Sequence, residues 1–299
     1  MVERSQTGGG ALHVSPLLLV LGAAVLWSTG GLFIKWTTIS AVELTFGRSL
    51  LAALTVALFT RHEGFRLNAT TALTSVLYAA LLLLFVVATK LTTAANAIFL
   101  QYTAPIYVLV LEPLFYKEKF RRADLLVIAA CVTGMSLFFV GKLRPQDVSG
   151  NLAALASGLC FAFYILLLRH PHTQRVNRAS SVIYGNLLLV VLAAPAGLSA
   201  LGRMTAWDGV SVLYLGVFQI GLAYTLFTLG MARGVRSLDA AIVGYIEPVL
   251  NPVWVYLFLG ERPSTWAILG GSIIIAAVAA HAVLGARKRK RTTAQDALV

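Results

Sequence analysis

Apolar residues gather in ten long blocks along this chain, with short polar punctuation between them. The blocks lie at about 16–35, 41–60, 70–89, 93–115, 123–141, 150–168, 179–198, 209–231, 237–259 and 265–285. Each is close to the ~20 residues that a helix needs to cross a bilayer. The short connections suit antiparallel neighbours in a bundle. The pattern predicts an all-α integral membrane protein of ten transmembrane helices. Residues 1–15, with Gly8, Gly9 and Gly10, are expected to be a disordered arm, and residues 286–299 a tail that opens on the run RKRKR.

One block returns. Residues 94–119 read AANAIFLQYTAPIYVLVLEPLFYKEK, and residues 237–262 read SLDAAIVGYIEPVLNPVWVYLFLGER. A slide of 143 positions lays Tyr102 on Tyr245, Pro105 on Pro248 and Glu118 on Glu261. Matched special residues in one register signal an internal repeat. The division predicted is 16–141 and 150–285, five spans each. An odd number of crossings turns the second copy upside down. Inverted repeats recur in secondary transporters, whose substrate sites lie near the midplane between the copies.

Composition sets the solvent. Of 299 residues, 58% are hydrophobic and 12% charged, with a mean hydropathy of +0.81. Soluble domains carry nearer ~25% charge, so the partner is the lipid bilayer. The net charge of +12 falls almost entirely between the blocks, which argues against nucleic acid. With the N-terminus inside, the inner loops and termini hold 17 Lys and Arg, the outer side 6, and Arg48 lies within a span. The positive-inside rule then puts both termini in the cytoplasm, in a multi-pass protein of the cytoplasmic (inner) membrane. The RKRKR run also suits anionic lipid heads. Residues 1–15 lack the apolar core and cleavage site of a secretory signal. Cys131 and Cys160 sit inside apolar blocks and propose neither a disulfide nor a metal site. His62-Glu63 opens something like HExxH, but Arg66 fills the second histidine position, and no nucleophile elbow or phosphate loop is present. No enzyme, cofactor or metal is expected.

The informative residues are polar groups and bends within the blocks. Pro105 removes a helix hydrogen bond and frees a carbonyl four residues back, which in a bilayer needs a partner or a wet cavity. Pro248 and Pro252 do the same in the ninth block. Glu247 is the eleventh residue of block 237–259, near the midplane. An acid at that depth usually faces a cavity, where it carries a proton or meets an amine. The alternative is a structural glutamate bonded to a neighbouring helix. Gly244, Glu247 and Asn251 are spaced to share one helix face. Arg48 is the eighth residue of block 41–60, about 10 Å from its outer end at 1.5 Å per residue. It reads either as an interfacial arginine or as a cavity cation gripping a carboxylate in bidentate fashion. Glu112, near Lys117, is expected to pair at the interface, and Glu118 and Glu261 to be structural.

Gln101 shares a stripe with Ile98, Pro105 and Glu112, and its amide suits substrate reading. Trp27, Tyr78, Phe99, Tyr102, Phe163, Tyr164, Tyr224 and Tyr245 add aromatic surface of the kind that lines small-molecule sites. Each has packing or lipid contact as its alternative. Asn96, Asn186 and Gln219 are weighed in the same way.

Taken together, the chain resembles the drug/metabolite transporter superfamily, in particular its ten-span EamA-type permeases. The matching pieces are the Ala-Val-Leu-Trp27 run with Lys35, Leu50 following Arg48, Gln101-Tyr102-Thr103-Ala104-Pro105 with Glu118, and Glu247-Pro248 with Leu259-Gly260-Glu261. Phe161 stands where the first copy has Trp27, and Arg169 where it has Lys35. The resemblance covers residues 16–285. It implies a basket of spans 1–4 and 6–9 around a central cavity, with spans 5 and 10 peripheral. It implies transport, often export, of amino acids or related metabolites. The expectation is a secondary transporter for a small molecule, working by alternating access, with proton coupling through Glu247 as one role. A drug-efflux or nucleotide-sugar carrier is the alternative within transport; a channel or membrane enzyme lies further off. Substrate, coupling ion, direction of flux and oligomeric state are left open by the sequence.

Overall fold

A computed structural model describes residues 15–92, 94–117, 121–137, 140, 148–259 and 264–296. The N-terminal arm, Glu118 and Glu261 lie outside the described residues. Helices and their connections make up the described chain, with no strand among the described residues. In order they are α1 (Pro16–Trp27), α2 (Gly30–Trp36), α3 (Ala41–Thr60), α4 (Ala69–Leu91), α5 (Ala94–Gln101), α6 (Ala104–Tyr116), α7 (Arg122–Leu137) and α8 (Val148–Leu168). There follow the short α9 (Pro171–Gln174), α10 (Ser180–Ala200), α11 (Ala206–Tyr214), widened π-helical turns over Leu215–Leu222, α12 (Ala223–Ala232), α13 (Ser237–Gly244), α14 (Ile246–Leu259) and α15 (Thr265–Asp296).

Among the described residues, eight of the resulting rods are long and apolar enough to cross a membrane. They are Pro16–Trp36, Ala41–Glu63, Ala69–Leu91, Ala97–Tyr116, Val148–Leu168, Ser180–Ala200, Ala206–Ala232 and Ser237–Phe258. The fifth and tenth blocks correspond to α7 and α15, which pack on each other. α15 does not stop near 285 but runs on through the RKRKR segment to Asp296.

Local chemistry sets the ends. Ser40 caps α3 and Glu43 reaches back to the Ser40 N–H at 2.7 Å, a capping box that satisfies two orphan amides. Thr205 and Asp208 form the same device at α11. The helix of the eighth apolar block therefore begins at 206, three residues before the apolar run suggests.

Three spans are broken, and each break places residues of the central cavity. Pro105 lies in the first turn of α6, so the helix interrupts at Tyr102-Thr103. Gly158 of α8 presses against the carbonyl freed there: a Cβ on it would stand 2.6 Å from the Gln101 oxygen. The helix of the ninth apolar block breaks at Tyr245, just before Pro248. The first span breaks at Ser28-Thr29 without any proline. There the side chains of Ser28 and Thr29 bond back to the carbonyls of Val25 and Leu26, at 2.6 and 2.7 Å, a competition with the helix ladder that bends helices.

Packing comes in matched sets. α4 packs on α8, and α1 on α12; α3 packs on α10; α5 and α6 meet α13 and α14. α10 packs on α4 as α3 does on the π-helical turns of the eighth span.

Candidate functional site

The breaks in the first, fourth and ninth apolar blocks and the π turns of the eighth surround a small cavity of about 40 Å³. Arg48 and Glu247 both line it. Arg48 is 1% exposed, buried within the protein. α3 turns it inward, where Nη2 donates to the Leu82 carbonyl at 3.3 Å and Nε is buried with no partner. A buried guanidinium with so few acceptors leaves a desolvation cost that an anion would offset.

Glu247 is 7% exposed and accepts a hydrogen bond from the Tyr102 hydroxyl at 2.6 Å. The Tyr245 hydroxyl donates in turn to the Tyr102 carbonyl at 3.2 Å, one of the groups left over at the α5–α6 break. The two rings lie 5.6 Å apart. The repeat-matched tyrosines thus touch each other, and one of them holds the acid. Among the described residues no ion pair joins Arg48 to Glu247.

Two amides complete the polar lining. Gln101 donates to the Ser157 hydroxyl at 2.7 Å, and Ser157 donates to the Leu81 carbonyl at 2.8 Å. Gln219 sits in the π-helical turns, a geometry frequent at functional sites. Its Nε2 reaches the Trp27 carbonyl at 3.5 Å, and its Oε1 is buried with no partner. Gln219 fits only because Gly30 has no side chain: a Cβ there would lie 2.6 Å from Nε2. Trp27, whose Nε1 is also buried without a partner, stacks among Phe161, Tyr224 and Phe227, with centroids at 6.0, 4.8 and 5.1 Å. Unpaired polar atoms on Trp27, Arg48 and Gln219 therefore belong to one lining, two of them donors and one an acceptor.

Other predicted residues stand back from the lining. Tyr78 accepts from Asn186 at 3.0 Å and packs on Tyr164 and Tyr224 at 5.3 and 4.8 Å. Tyr164 is buried with its hydroxyl unpaired. Phe99 is half-buried against the core. Phe163 faces away, its ring 6.3 Å from that of the exposed Phe115. The expected face of Gly244, Glu247 and Asn251 is split by the break at Tyr245. Glu247 lines the cavity, Gly244 packs under the Tyr102 ring, and Asn251 Nδ2 crowds Gly31. The stripe from Gln101 to Glu112 is cut in the same way at Tyr102-Thr103. Phe85, Leu81, Leu82 and Ile220 also line the cavity, apolar residues that nothing in the sequence pattern sets apart. Phe161 was legible as the repeat-mate of Trp27.

Glu112 departs furthest from expectation. It is 1% exposed, and its partners are Arg169 and Arg236, both at 2.9 Å, not Lys117. Arg236 also binds Asp124 at 2.9 Å, and His281 binds Asp239 at 2.9 Å. Burial opposes the Arg236 charge, but Glu112 and Asp124 outweigh it and hold the guanidinium above its ordinary value. This network ties α6 and α7 to α8, α13 and α15. At the opposite end the Thr38 amide and hydroxyl donate to Asp208 at 2.7 and 2.8 Å, and Arg203 pairs with Glu43. Among the described residues no group of His, Cys, Asp and Glu suits a metal.

The profile of the EamA-like transporter family matches this chain twice, over residues 14–140 and 148–281. The uncharacterized transporter YwfM of Bacillus subtilis is 28% identical over 292 residues, 94% of this chain and 97% of that protein. The pseudopaline exporter CntI of Pseudomonas aeruginosa is 26% identical over 277 residues, covering 88% and 94%. The aromatic amino acid exporter YddG of Ancylobacter novellus is 24% identical over 213 residues, covering 67% and 71%. With most of its length matched in two successive stretches, the chain belongs to the EamA-like transporter family.

Proposed function

We propose that this protein crosses the cytoplasmic membrane ten times, as two inverted five-helix repeats over 16–141 and 150–285, and exports a small zwitterionic metabolite of the amino-acid kind. The carrying observation is that Arg48 of the first repeat and Glu247 of the second line one small cavity without pairing to each other. A zwitterion satisfies both at once. Its carboxylate meets the planar fork of Arg48, and its ammonium meets Glu247, with Tyr102 steadying the acid. Gln101, Gln219 and the Trp27 indole N–H have hydrogen bonds to offer, and the aromatic wall takes a side chain. Two relatives that carry the name exporter, one of them for aromatic amino acids, support this reading.

The matched packing of α4 with α8 and α1 with α12 supports the twofold arrangement, as does the doubled family match. A lining of about 40 Å³ has room for a few waters, whereas small-molecule pockets run to roughly 300 Å³ or more. Rocking of one repeat against the other opens it. The Glu112–Arg169 and Glu112–Arg236 pairs cross between repeats at the cytoplasmic end, and the Thr38–Asp208 bonds cross at the outer end. Each set must part when its own side opens. Both termini lie in the cytoplasm on this reading, a placement that the loop charges support.

The test is uptake of a panel of radiolabelled L-amino acids into inverted membrane vesicles. Saturable uptake with counterflow is expected. An ohmic current with no counterflow would replace the carrier by a channel.

A further inference from the structure

A second chamber of about 140 Å³ lies apart from the central cavity, lined by Leu168, Thr173, Gln174, Arg178, Thr228 and Met231. Leu168 and Thr228 stand one helical turn beyond Tyr164 and Tyr224. Those turns lead to the ends of α8 and α12, so the chamber lies between the cavity and the face that the loop charges make cytoplasmic. Two of its donors are unused. Thr173 is 2% exposed with its hydroxyl buried and unpartnered, and Arg178 Nε is likewise buried without a partner. Glu63 engages Arg178 through Nη1 and through the backbone amide, the latter at 3.1 Å, and leaves Nε free. Arg233 adds a second positive charge beside Arg178. The segment is held rigid, because Asn177 Nδ2 donates to the Thr60 carbonyl, the Thr60 hydroxyl and the Gly64 carbonyl at 3.1, 2.9 and 2.9 Å.

We infer that this chamber is a cytoplasmic anion-binding vestibule, in which Arg178 Nε–H and the Thr173 hydroxyl take a carboxylate before it passes between α8 and α12 to Arg48. The inference rests on the transport reading for its role as an entry point; the anion site stands on its own donors. A charge-assisted pair of donors on a fixed loop selects anions over cations and raises their local concentration. Tyr78, Tyr164 and Tyr224 form an aromatic cluster next to the chamber, and Tyr224 also lines the central cavity.

The test uses full-length protein in inverted vesicles, with Cys131→Ala, Cys160→Ala and a single reporter, Gln174→Cys, at the exposed lining position. Its modification rate is measured with an anionic sulfonatoethyl and a cationic trimethylammonioethyl methanethiosulfonate, each rate being divided by that reagent's rate with free 2-mercaptoethanol so that all comparisons are of normalised rates. Acetate and inorganic phosphate serve as protecting probes, and chloride as the control. The anionic reagent is expected to react about tenfold faster relative to the cationic one, and acetate is expected to slow it. Arg178→Gln should bring the ratio near one. Thr173→Val, which keeps shape and the Glu63 bridge, should weaken acetate protection on its own. Arg48→Gln should leave ratio and protection unchanged, and loss of protection there would assign acetate to the central cavity and overturn the second site. Equal rates for the two reagents, or protection by acetate no better than by chloride, would overturn it directly. Protection by phosphate alone would overturn the carboxylate assignment. Labelling confined to right-side-out vesicles would overturn the cytoplasmic placement, a failure distinct from equal rates.

Discussion

Tyr102 and Pro105 in the fourth apolar block stand 143 positions before Tyr245 and Pro248 in the ninth, and both helices break at the tyrosine. Around those breaks the two copies differ. Where the first has Gln101 and Ala104, the second has Gly244 and Glu247. The first copy brings the cation of the cavity, Arg48, and an amide; the second brings the acid and, through Gln219, another amide. The matched residues make the shape: two bends, two tyrosines in contact, and a Tyr245 hydroxyl that satisfies the Tyr102 carbonyl. The unmatched residues make the chemistry. A cavity charged alike by both copies would repel one end of a zwitterion, and a cavity charged oppositely holds both.

The largest expected effect follows from removing one side of that polarity. Arg48→Gln should lower vesicle uptake roughly a hundredfold at matched protein abundance, since truncating a buried charge partner costs a few kcal/mol. Arg48→Lys should rescue little, because an ammonium lacks the planar fork. Glu247→Gln keeps size and the bond to Tyr102 but does not ionise. Uptake measured across pH should lose its wild-type dependence in this variant while exchange persists; a mutant with the wild-type profile would make Glu247 a structural group.

The next contrast tests the scaffold rather than the charges. Gly158→Ala drives a methyl against the backbone oxygen of Gln101 at 2.6 Å and should lower thermal stability in detergent by about 2 kcal/mol. Gly244→Ala meets the edge of the Tyr102 ring at 3.3 Å, a side chain that shifts, so its cost should be the smaller of the two. The smallest effect belongs to Tyr102→Phe, which removes one hydrogen bond to Glu247. It should raise the apparent substrate constant about three- to tenfold with abundance unchanged, in line with ~1 kcal/mol for such a bond.

Much of this was legible in the sequence. The apolar blocks located the rods because a bilayer demands length and apolarity over one continuous stretch. Pro105 and Pro248 located two breaks because a missing N–H acts locally. The break at Ser28-Thr29 and the π turns around Gln219 were not legible, since hydroxyl back-bonding and a one-residue widening leave no mark on an apolar run. The direction of Arg48 was hidden for a related reason. A spanning helix is apolar all round, so its pattern gives depth but not the face turned to the cavity. Spacing misled for Gly244, Glu247 and Asn251, because three-and-four spacing presumes an unbroken helix. The partners of Glu112 lie 57 and 124 residues away, at Arg169 and Arg236, where only tertiary packing brings them in.

The central claim is that Arg48 and Glu247 together read a zwitterion. The direct measurement is competition in vesicle uptake, using the best labelled amino acid from the panel against its decarboxylated amine and its N-acetyl derivative. In the wild type neither analogue should compete well. In Arg48→Gln the amine should compete nearly as well as the parent compound, and in Glu247→Gln the N-acetyl derivative should do so. Wild-type protein that accepts the amine or the N-acetyl compound as readily as the parent would contradict the account.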